Sequence, residues 1–214
     1  MVNSTVVYNG ALAGAGGGLW LGSSNATVVN CIVWYNEAVT GDQIEVAGGS
    51  PLVSYCSVEG GWPGPGNILN NPQFAGAGNY RLSAGSPCID AGCNCGVLKD
   101  AADLDGDGDK AEPTPLDLDN EGRFFDDPNT LDTGSGWPPV VDMGAYEFGS
   151  TGAQPCIGDL DNDRDVGLAD LAQLLGHYGM TSGAGHDEGD LDCDGDVDLA
   201  DLAALLSVYG TTCD

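Results

Sequence analysis

Aspartates in two evenly spaced runs near the end of the chain are the side chains whose chemistry is easiest to assign. The second run repeats the first 31 residues later. In each run, carboxylates stand at positions 1, 3, 5 and 12 of a twelve-residue loop and position 7 supplies its backbone carbonyl, which is the oxygen pattern that Ca²⁺ requires. Two matched loops therefore predict two calcium ions. The predicted ligands are Asp159, Asp161, Asp163, Asp165, Asp170, Asp190, Asp192, Asp194, Asp196 and Asp201.

An apolar segment follows each loop and predicts the element that positions it. Leu-Ala-Asp-Leu-Ala stands at 168–172 and again at 199–203, and leucines continue at helical spacing. We expect a helix after each loop. The predicted core of this small unit is Leu171, Leu174, Leu175, Leu202, Leu205 and Leu206.

With these loops and helices, residues 156–214 resemble a type I dockerin, a duplicated calcium module that joins secreted bacterial proteins to cohesin domains. Asp at position 12 and the lack of a helix before each loop fit a dockerin better than a full EF-hand. In dockerins, positions 10 and 11 face the cohesin. The resemblance thus implies docking, in two orientations, through the repeated pair Leu168, Ala169, Leu199 and Ala200. The alternative is that calcium only folds this unit and no cohesin partner exists.

Position 6 distinguishes the two loops. Arg164 stands there in the first loop, whereas the second has Gly195. Because the sharp turn at this position favours glycine, we expect the first site to be the weaker or more strained.

An acidic insertion at 100–133 starts like a third calcium loop. Its candidate ligands are Asp103, Asp105, Asp107 and Asp109. Position 12 is Thr114 and no helix pattern follows, so Glu112, Asp117 or Asp119 would have to complete the shell. A solvated acidic loop is the competing interpretation.

The charge balance limits the partners of the chain. With 33 acidic and 5 basic residues the net charge is −28, which argues against nucleic acid and against an anionic membrane. Such charge also destabilises a compact state unless cations neutralise it.

Cysteine content predicts the compartment. Eight cysteines without zinc-type spacing indicate an oxidising environment, and there is no long apolar span. We therefore expect a secreted protein, extracellular or at the cell surface, and expect that Met1 does not begin the natural polypeptide or that a leader is missing. A disulfide between Cys156 and Cys213 would join the ends of the dockerin-like unit.

Residues 1–60 contain a loose repeat. Residues 6–9 (Val-Val-Tyr-Asn) recur at 33–36, residues 19–21 at 44–46, and residues 31–33 (Cys-Ile-Val) at 56–58. Offsets of 25 to 27 residues between short β-rich runs predict a right-handed parallel β-helix, with Cys31 near Cys56 and Asn9 near Asn36. A β-sandwich is the alternative.

Phrases farther along resemble the closing segment of secreted bacterial β-helix proteins. They are Asn-Pro-Gln-Phe at 71–74, Tyr-Arg-Leu at 80–82, Ser-Pro-Cys-Ile-Asp-Ala-Gly at 86–92 and Asp-Met-Gly-Ala-Tyr-Glu-Phe at 142–148. The expected protein is mainly β: a truncated parallel β-helix at 1–148, a linker at 149–155, and a small all-α calcium-binding domain with duplicated EF-hand-type loops at 156–214.

Catalytic patterns are not evident. Arg81 is the only basic residue before Lys99, so the base of a lyase is missing from the coils. The coils also contain no Asp-Asp pair that would suit an inverting hydrolase. Trp20, Trp34, Trp62 and Trp137 leave carbohydrate binding open, although core roles are favoured. Asn3 and Asn25 match the short N-glycosylation pattern, which carries little information.

The functional hypothesis is a secreted, calcium-stabilised, non-catalytic structural or attachment protein. Open coil ends would allow head-to-tail self-assembly into fibres. The alternatives are a dockerin-type module that docks onto a cohesin scaffold or cell surface, and the end of a polysaccharide-degrading enzyme whose catalytic coils lie upstream.

Overall fold

The computed structural model describes residues 1–23, 25–106, 110, 112–137, 139–150, 157–161 and 163–212. The chain divides into two compact units, Met1–Gly152 and Ala153–Asp214. It is mainly β, with two short α-helices among the described residues. The candidate ligands Asp107 and Asp109 and the predicted Cys156–Cys213 disulfide lie outside the described residues.

Short strands make up the first unit. They are β1 Thr5–Val7, β2 Gly10–Ala15, β3 Leu19–Ser23, β4 Thr27–Val29, β5 Ile32–Trp34, β6 Glu37–Thr40, β7 Ile44–Gly48, β8 Leu52–Ser54, β9 Ser57–Val58, β10 Phe74–Gly76 and β11 Asn79–Leu82.

Parallel pairing joins each strand to its counterpart one repeat later. The ladders are β1–β5–β9, β2–β6, β3–β7 and β4–β8. Val6 lies opposite Val33, Leu19 opposite Ile44, and Ile32 opposite Ser57. The repeats read from the sequence are thus confirmed as aligned strands, and the antiparallel ladders of a β-sandwich are absent from β1–β9. The hairpin β10–β11 is antiparallel.

The length of the repeat changes inside β2. Gly10 and Ala11 pair with residues 27 positions later, at Glu37 and Ala38, whereas Ala15 pairs with Thr40 only 25 positions later. The register shift between Ala11 and Ala15 therefore absorbs two residues, and every later pair keeps the 25-residue spacing. This bulge explains why the sequence repeats are offset by 27 residues before it and by 25 after it.

Corners recur at the same points of the repeat. Asn3, Asn30 and Tyr55 have left-handed φ angles of 43°, 54° and 49°, and an aligned strand begins two residues after each of them. Tyr8 and Tyr35 do the same at 56° and 57°. Left-handed non-glycine residues are uncommon, so their repetition shows that the chain turns identically in each repeat.

Strand β5 is buried on both faces. Val33 packs with Val28, Ile44, Val53 and Val58, while Ile32 and Trp34 pack against Leu82, Ile89 and Met143. Alternate side chains of a strand point to opposite faces. The segment after β11 therefore covers the outer face of the β1–β5–β9 ladder.

Buried carboxylates hold that irregular segment together. Asp142 accepts hydrogen bonds from the backbone N–H of Asp90 (2.8 Å) and Phe148 (2.7 Å). Glu147 accepts from the N–H of Asp142 (3.2 Å) and Phe125 (3.4 Å). Backbone donors that no strand satisfies are thus paired by side chains, which gives the 142–148 phrase its structural role.

Like side chains lie over one another, as the repeat predicted. The Asn36 Oδ1 accepts from the backbone N–H and the Nδ2 of Asn9 at 2.9 and 3.0 Å. The Cys31 N–H points to the Cys56 Sγ at 3.3 Å, and both thiols are free. The rings of Tyr8 and Tyr35 stack 5.0 Å apart.

The second unit contains α1, Leu168–His177, and α2, Leu199–Ser207. Its core residues recur 31 positions apart and are Leu160, Val166, Leu174, Leu191, Val197 and Leu205. The prediction that Leu175 and Leu206 belong to this core is wrong, since they are 51% and 52% exposed. Four of these core residues come from the loops, so each helix contributes only a narrow buried stripe.

The two halves of this unit exchange backbone hydrogen bonds. The N–H of Val166 donates to the carbonyl of Thr211, and the carbonyl of Val166 accepts from Gly210. Val197 makes the same two bonds with Met180 and Gly179. All three positions are offset by 31 residues, so each loop is closed by the segment that follows the other helix.

Candidate metal centres

The first acidic loop forms a carboxylate cluster against the start of α1. One carboxylate oxygen from each of Asp159, Asp161 and Asp170 lies within 4.8 Å of the others. Asp170 is fully buried. Its Oδ1 accepts from the N–H of Leu160 at 2.7 Å and its Oδ2 from the N–H of Gly167 at 2.7 Å. The position 12 carboxylate therefore holds both ends of the loop.

Other hydrogen bonds from the backbone to aspartates of this loop shape the loop. Asp159 accepts from the N–H of Asp163 and Arg164 at 3.1 and 3.0 Å. Asp163 Oδ1 accepts from the N–H of Asp165 at 3.0 Å. Asp163 and Asp165 do not join the three-carboxylate cluster, but the turns that they form bring the chain around it.

The second loop repeats these contacts one by one. Asp201 is fully buried and accepts from the N–H of Leu191 at 2.8 Å and of Asp198 at 2.7 Å. Asp190 accepts from the N–H of Asp194 and Gly195 at 3.2 and 3.0 Å. Two independent copies of one sequence pattern thus fold to one hydrogen-bonding scheme.

Carboxylates of the second loop fall into two adjacent groups. One contains Asp190, Asp192 and Asp194, and the other Asp196, Asp198 and Asp201. Sequence reasoning missed Asp198, which stands where the first loop has Gly167. It caps α2 by accepting from the N–H of Ala200 at 2.6 Å. The capping preference of aspartate before an apolar helix was the signal that could have found it.

Crowded carboxylates raise one another's pKa values. Loss of solvent and then the charge of neighbouring aspartates raise the pKa of Asp161, Asp190, Asp192 and Asp196. A divalent cation among them would remove this repulsion, because an opposite charge favours the ionised form. The arrangement of oxygens fits Ca²⁺ in its donor set and loop length.

Position 6 adopts the same left-handed turn in both loops. The φ angle is 72° at Arg164 and 89° at Gly195. Since only glycine adopts this region without a steric cost, the first loop carries strain that the second lacks.

The acidic insertion of the first unit also forms a cluster, with a composition that differs from the predicted one. Asp105 lies with Asp100 and Glu112, one oxygen of each within 4.8 Å of the others. Asp103 is not in this group. Asp100 was missed because it precedes the acidic run, whereas Glu112 had been weighed as a completing ligand.

The predicted docking residues lie at the surface of the second unit. Leu168 and Leu199 are 72% and 67% exposed, and Ala169 and Ala200 are exposed as well. Leu175 and Leu206 lie two turns farther along the same helix faces. Each helix thus presents apolar side chains to solvent at equivalent positions.

A groove of about 650 Å³ runs along the coils of the first unit. Its lining includes Tyr8, Tyr35, Trp62, Glu37, Asp42 and Glu59. Of the four tryptophans considered for sugar stacking, Trp34 and Trp137 are buried, Trp20 is exposed, and only Trp62 lines this groove.

Cysteine chemistry differs along the chain. Cys95 and Cys193 are disulfide-bonded, whereas Cys31, Cys56, Cys88 and Cys93 are free thiols. Disulfides are consistent with an extracellular protein.

None of the helices in the described part of the chain has the length and apolar character of a membrane span.

Comparisons of the chain with protein-family models, with curated proteins and with solved structures find no match. The geometry described above therefore carries the functional argument.

Proposed function

We propose that this chain is part of a secreted, non-catalytic attachment protein, in which a parallel β-helix is joined to a calcium-ordered, dockerin-like docking module. The β-helix is supported by four ladders that advance one repeat at a time, by corners at fixed positions, and by stacked Asn9–Asn36 and Tyr8–Tyr35 pairs. Coils of similar length that pair in parallel are the mark of a solenoid.

The observation that carries the docking function is the repeated apolar face of the second unit. Leu168 and Leu175 on α1, and Leu199 and Leu206 on α2, are more than half exposed. An exposed apolar patch that recurs at equivalent positions marks an interaction surface. Calcium would order both faces, because the position 12 aspartates lie in the first turns of the helices.

The duplicated geometry supports docking in two orientations. Either helix face can meet the same partner surface after a half-turn about the internal pseudo-twofold axis, since the core and loop contacts are equivalent under the 31-residue offset. The proposed partner is a cohesin-type domain with an apolar groove.

Binding of a panel of purified cohesin domains, measured by calorimetry with Ca²⁺ and then with EGTA, tests this function. We expect capture that needs calcium. A Leu168→Asp/Leu175→Asp variant or a Leu199→Asp/Leu206→Asp variant should each retain binding through the other face, whereas the fourfold variant should lose it. Leu131→Asp, at an exposed leucine of the first unit, is the matched control.

Two other outcomes would overturn the docking function. If the second unit folds with calcium but captures no cohesin, the role of calcium in this unit is purely structural. Large assemblies that dissolve on chelation, seen by light scattering of the same samples, would favour head-to-tail self-assembly instead.

The groove of the first unit supports saccharide binding as a second function. Tyr8 is 63% exposed and lines the groove together with Trp62, so aromatic faces are available for sugar rings. The nearby acids have structural partners: Glu59 accepts from the N–H of Tyr35 (2.7 Å) and Asp42 from the N–H of Ala38 (2.8 Å). This supports binding over acid–base hydrolysis.

Calorimetry with neutral oligosaccharides tests the groove. Binding that falls at least about tenfold in Tyr8→Ala, the loss that about 1.4 kcal/mol produces, and that is unchanged in Tyr178→Ala, would support it. Release of reducing ends from any of these sugars would contradict the non-catalytic assignment.

A further inference from the structure

Asp90 is a buried carboxylate of the first unit that no hydrogen bond satisfies. Asp90 is fully buried, as are its neighbours in sequence, Ile89 and Ala91. Among the residues that the structure describes, neither Oδ1 nor Oδ2 has a hydrogen-bond partner. Burying an ionised group without a partner is costly, so this position requires a compensating contact.

Two further carboxylates face Asp90. One oxygen of Asp126 and one of Asp132 lie within 4.8 Å of an Asp90 oxygen and of each other. Burial and then the charges of Asp126 and Asp132 raise the pKa of Asp90 to about 7. The nearby backbone N–H of Asp127 lowers this pKa. Three acids therefore converge on one point.

The backbone around this point is held in place by other groups. The Asp90 carbonyl accepts from the N–H of Thr133 at 2.9 Å and of Gly134 at 3.1 Å. Asp127 turns its side chain away, accepting from Thr130 Oγ1 at 2.9 Å and Asn129 Nδ2 at 3.0 Å. The loop 126–134 thus bonds to the backbone of Asp90, whereas the Asp90 carboxylate lies next to Asp126 and Asp132.

Protonation alone does not satisfy this arrangement. A neutral Asp90 could donate one hydrogen bond to Asp126 or Asp132, but its second oxygen would stay unpaired and the two remaining carboxylates would still repel each other. A cation contacts all three carboxylates at once and removes both the repulsion and the unpaired oxygens.

We propose that Asp90, Asp126 and Asp132 bind a divalent cation, Ca²⁺, that fastens the loop 126–134 to the segment 88–92. The donor set consists of oxygens only, which suits a hard cation, and water or backbone carbonyls fill the remaining positions of a six- to eight-coordinate shell. This site lies in the first unit, does not depend on the docking function, and uses none of the aspartates that the sequence predicted as calcium ligands.

The test uses the full chain and two readouts specific to this site. Hydrogen exchange follows the amides of residues 126–134, and native mass spectrometry counts the bound calcium ions. In the wild type, calcium at ten times its Kd should slow opening of this loop about tenfold. Asp90→Asn is isosteric and suits the left-handed φ of 49° at this residue.

We expect Asp90→Asn to bind one calcium ion fewer and to lose the calcium-dependent protection of 126–134, while the second unit keeps its own. Asp132→Asn changes an exposed residue, so it gives the same test without a risk to folding. Glu121→Gln removes one exposed carboxylate of the acidic insertion that lies outside the cluster. This control variant should behave as the wild type.

The proposal is overturned if calcium leaves exchange in 126–134 unchanged in the wild type. It is also overturned if Asp132→Asn keeps both the protection and the full calcium count. Failure of cohesin capture would leave this outcome untouched, because capture reports on the second unit alone.

Discussion

The two units of this chain are both built from repeats, but the repeats are joined by different operations. In the first unit, each strand pairs with the strand one repeat later, so the pattern advances by translation. In the second, each loop bonds to the segment after the other helix, so the two copies exchange contacts reciprocally. Translation can continue for any number of repeats, whereas reciprocal exchange is complete with two.

The two repeats also differ in what stabilises them. The parallel strands of the first unit bury apolar residues such as Val33 and Val53 and stack like side chains, so packing holds them together. The loops of the second unit bring carboxylates together and leave them mutually repelling. We expect the first repeat to depend on packing and the second on cations.

Calcium removal should give the largest effect and separate the two units. At a thousandfold excess over Kd, each bound ion stabilises the folded state by about 4 kcal/mol. With EGTA we expect α1 and α2 to lose their helical circular dichroism, while amides of the β1–β5–β9 ladder remain protected from exchange. Helices that persist in EGTA would show that the second repeat, like the first, is held by packing alone.

Paired core truncations test the equivalence of the two copies. Leu174 and Leu205 are both fully buried, so Leu174→Ala and Leu205→Ala should each cost about 3 kcal/mol in the free energy of unfolding, measured by denaturation in calcium. The matched controls, Leu175→Ala and Leu206→Ala, should cost less than about 0.5 kcal/mol. Unequal costs for the two buried leucines would contradict the reciprocal description.

The asparagine stack tests the translational repeat. Asn36 is buried and joins Asn9, Val6 and Gln43 through its side chain. Asn36→Ala leaves these groups unpaired and should cost about 2 kcal/mol. The exposed Asn25, which accepts from the N–H of Ser50, supplies the control Asn25→Ala, for which we expect a cost near zero. Thermal unfolding followed by tryptophan fluorescence measures both.

Position 6 gives the smallest effect and distinguishes the two loops. Arg164→Gly removes the steric cost of a left-handed turn. Glycine also adds conformational entropy to the unfolded chain, which offsets part of this gain. We therefore expect calcium binding at the first loop to become more favourable by about 1 kcal/mol. Gly195→Ala should weaken the second loop by a similar amount, although space exists for its Cβ. Calorimetric titration of each variant measures the change, and an unaltered first site would show that Arg164 is not strained.

Prediction from sequence succeeded where local spacing determines contact. The aligned phrases around Val6 and Val33, and around Cys31 and Cys56, are reproduced as strand registers because a repeated corner returns the chain to the same place. Leucine spacing located both helices, but it did not distinguish Leu174 from Leu175. That choice depends on how much of each helix the loops already cover.

Clusters that join distant segments could not be predicted in this way. Asp90, Asp126 and Asp132 meet only because the loop 126–134 bonds to the Asp90 carbonyl. Asp100 and Glu112 likewise meet Asp105 across a turn, with no regular spacing to mark them.

The two repeat lengths, the acidic loops and the helices follow from residues that are near one another in the chain, and the excess of negative charge follows from composition. The operation that joins the repeats, the leucines that stay exposed and the carboxylates that converge depend on tertiary packing. These features depend on how several segments that are distant in the chain pack against one another.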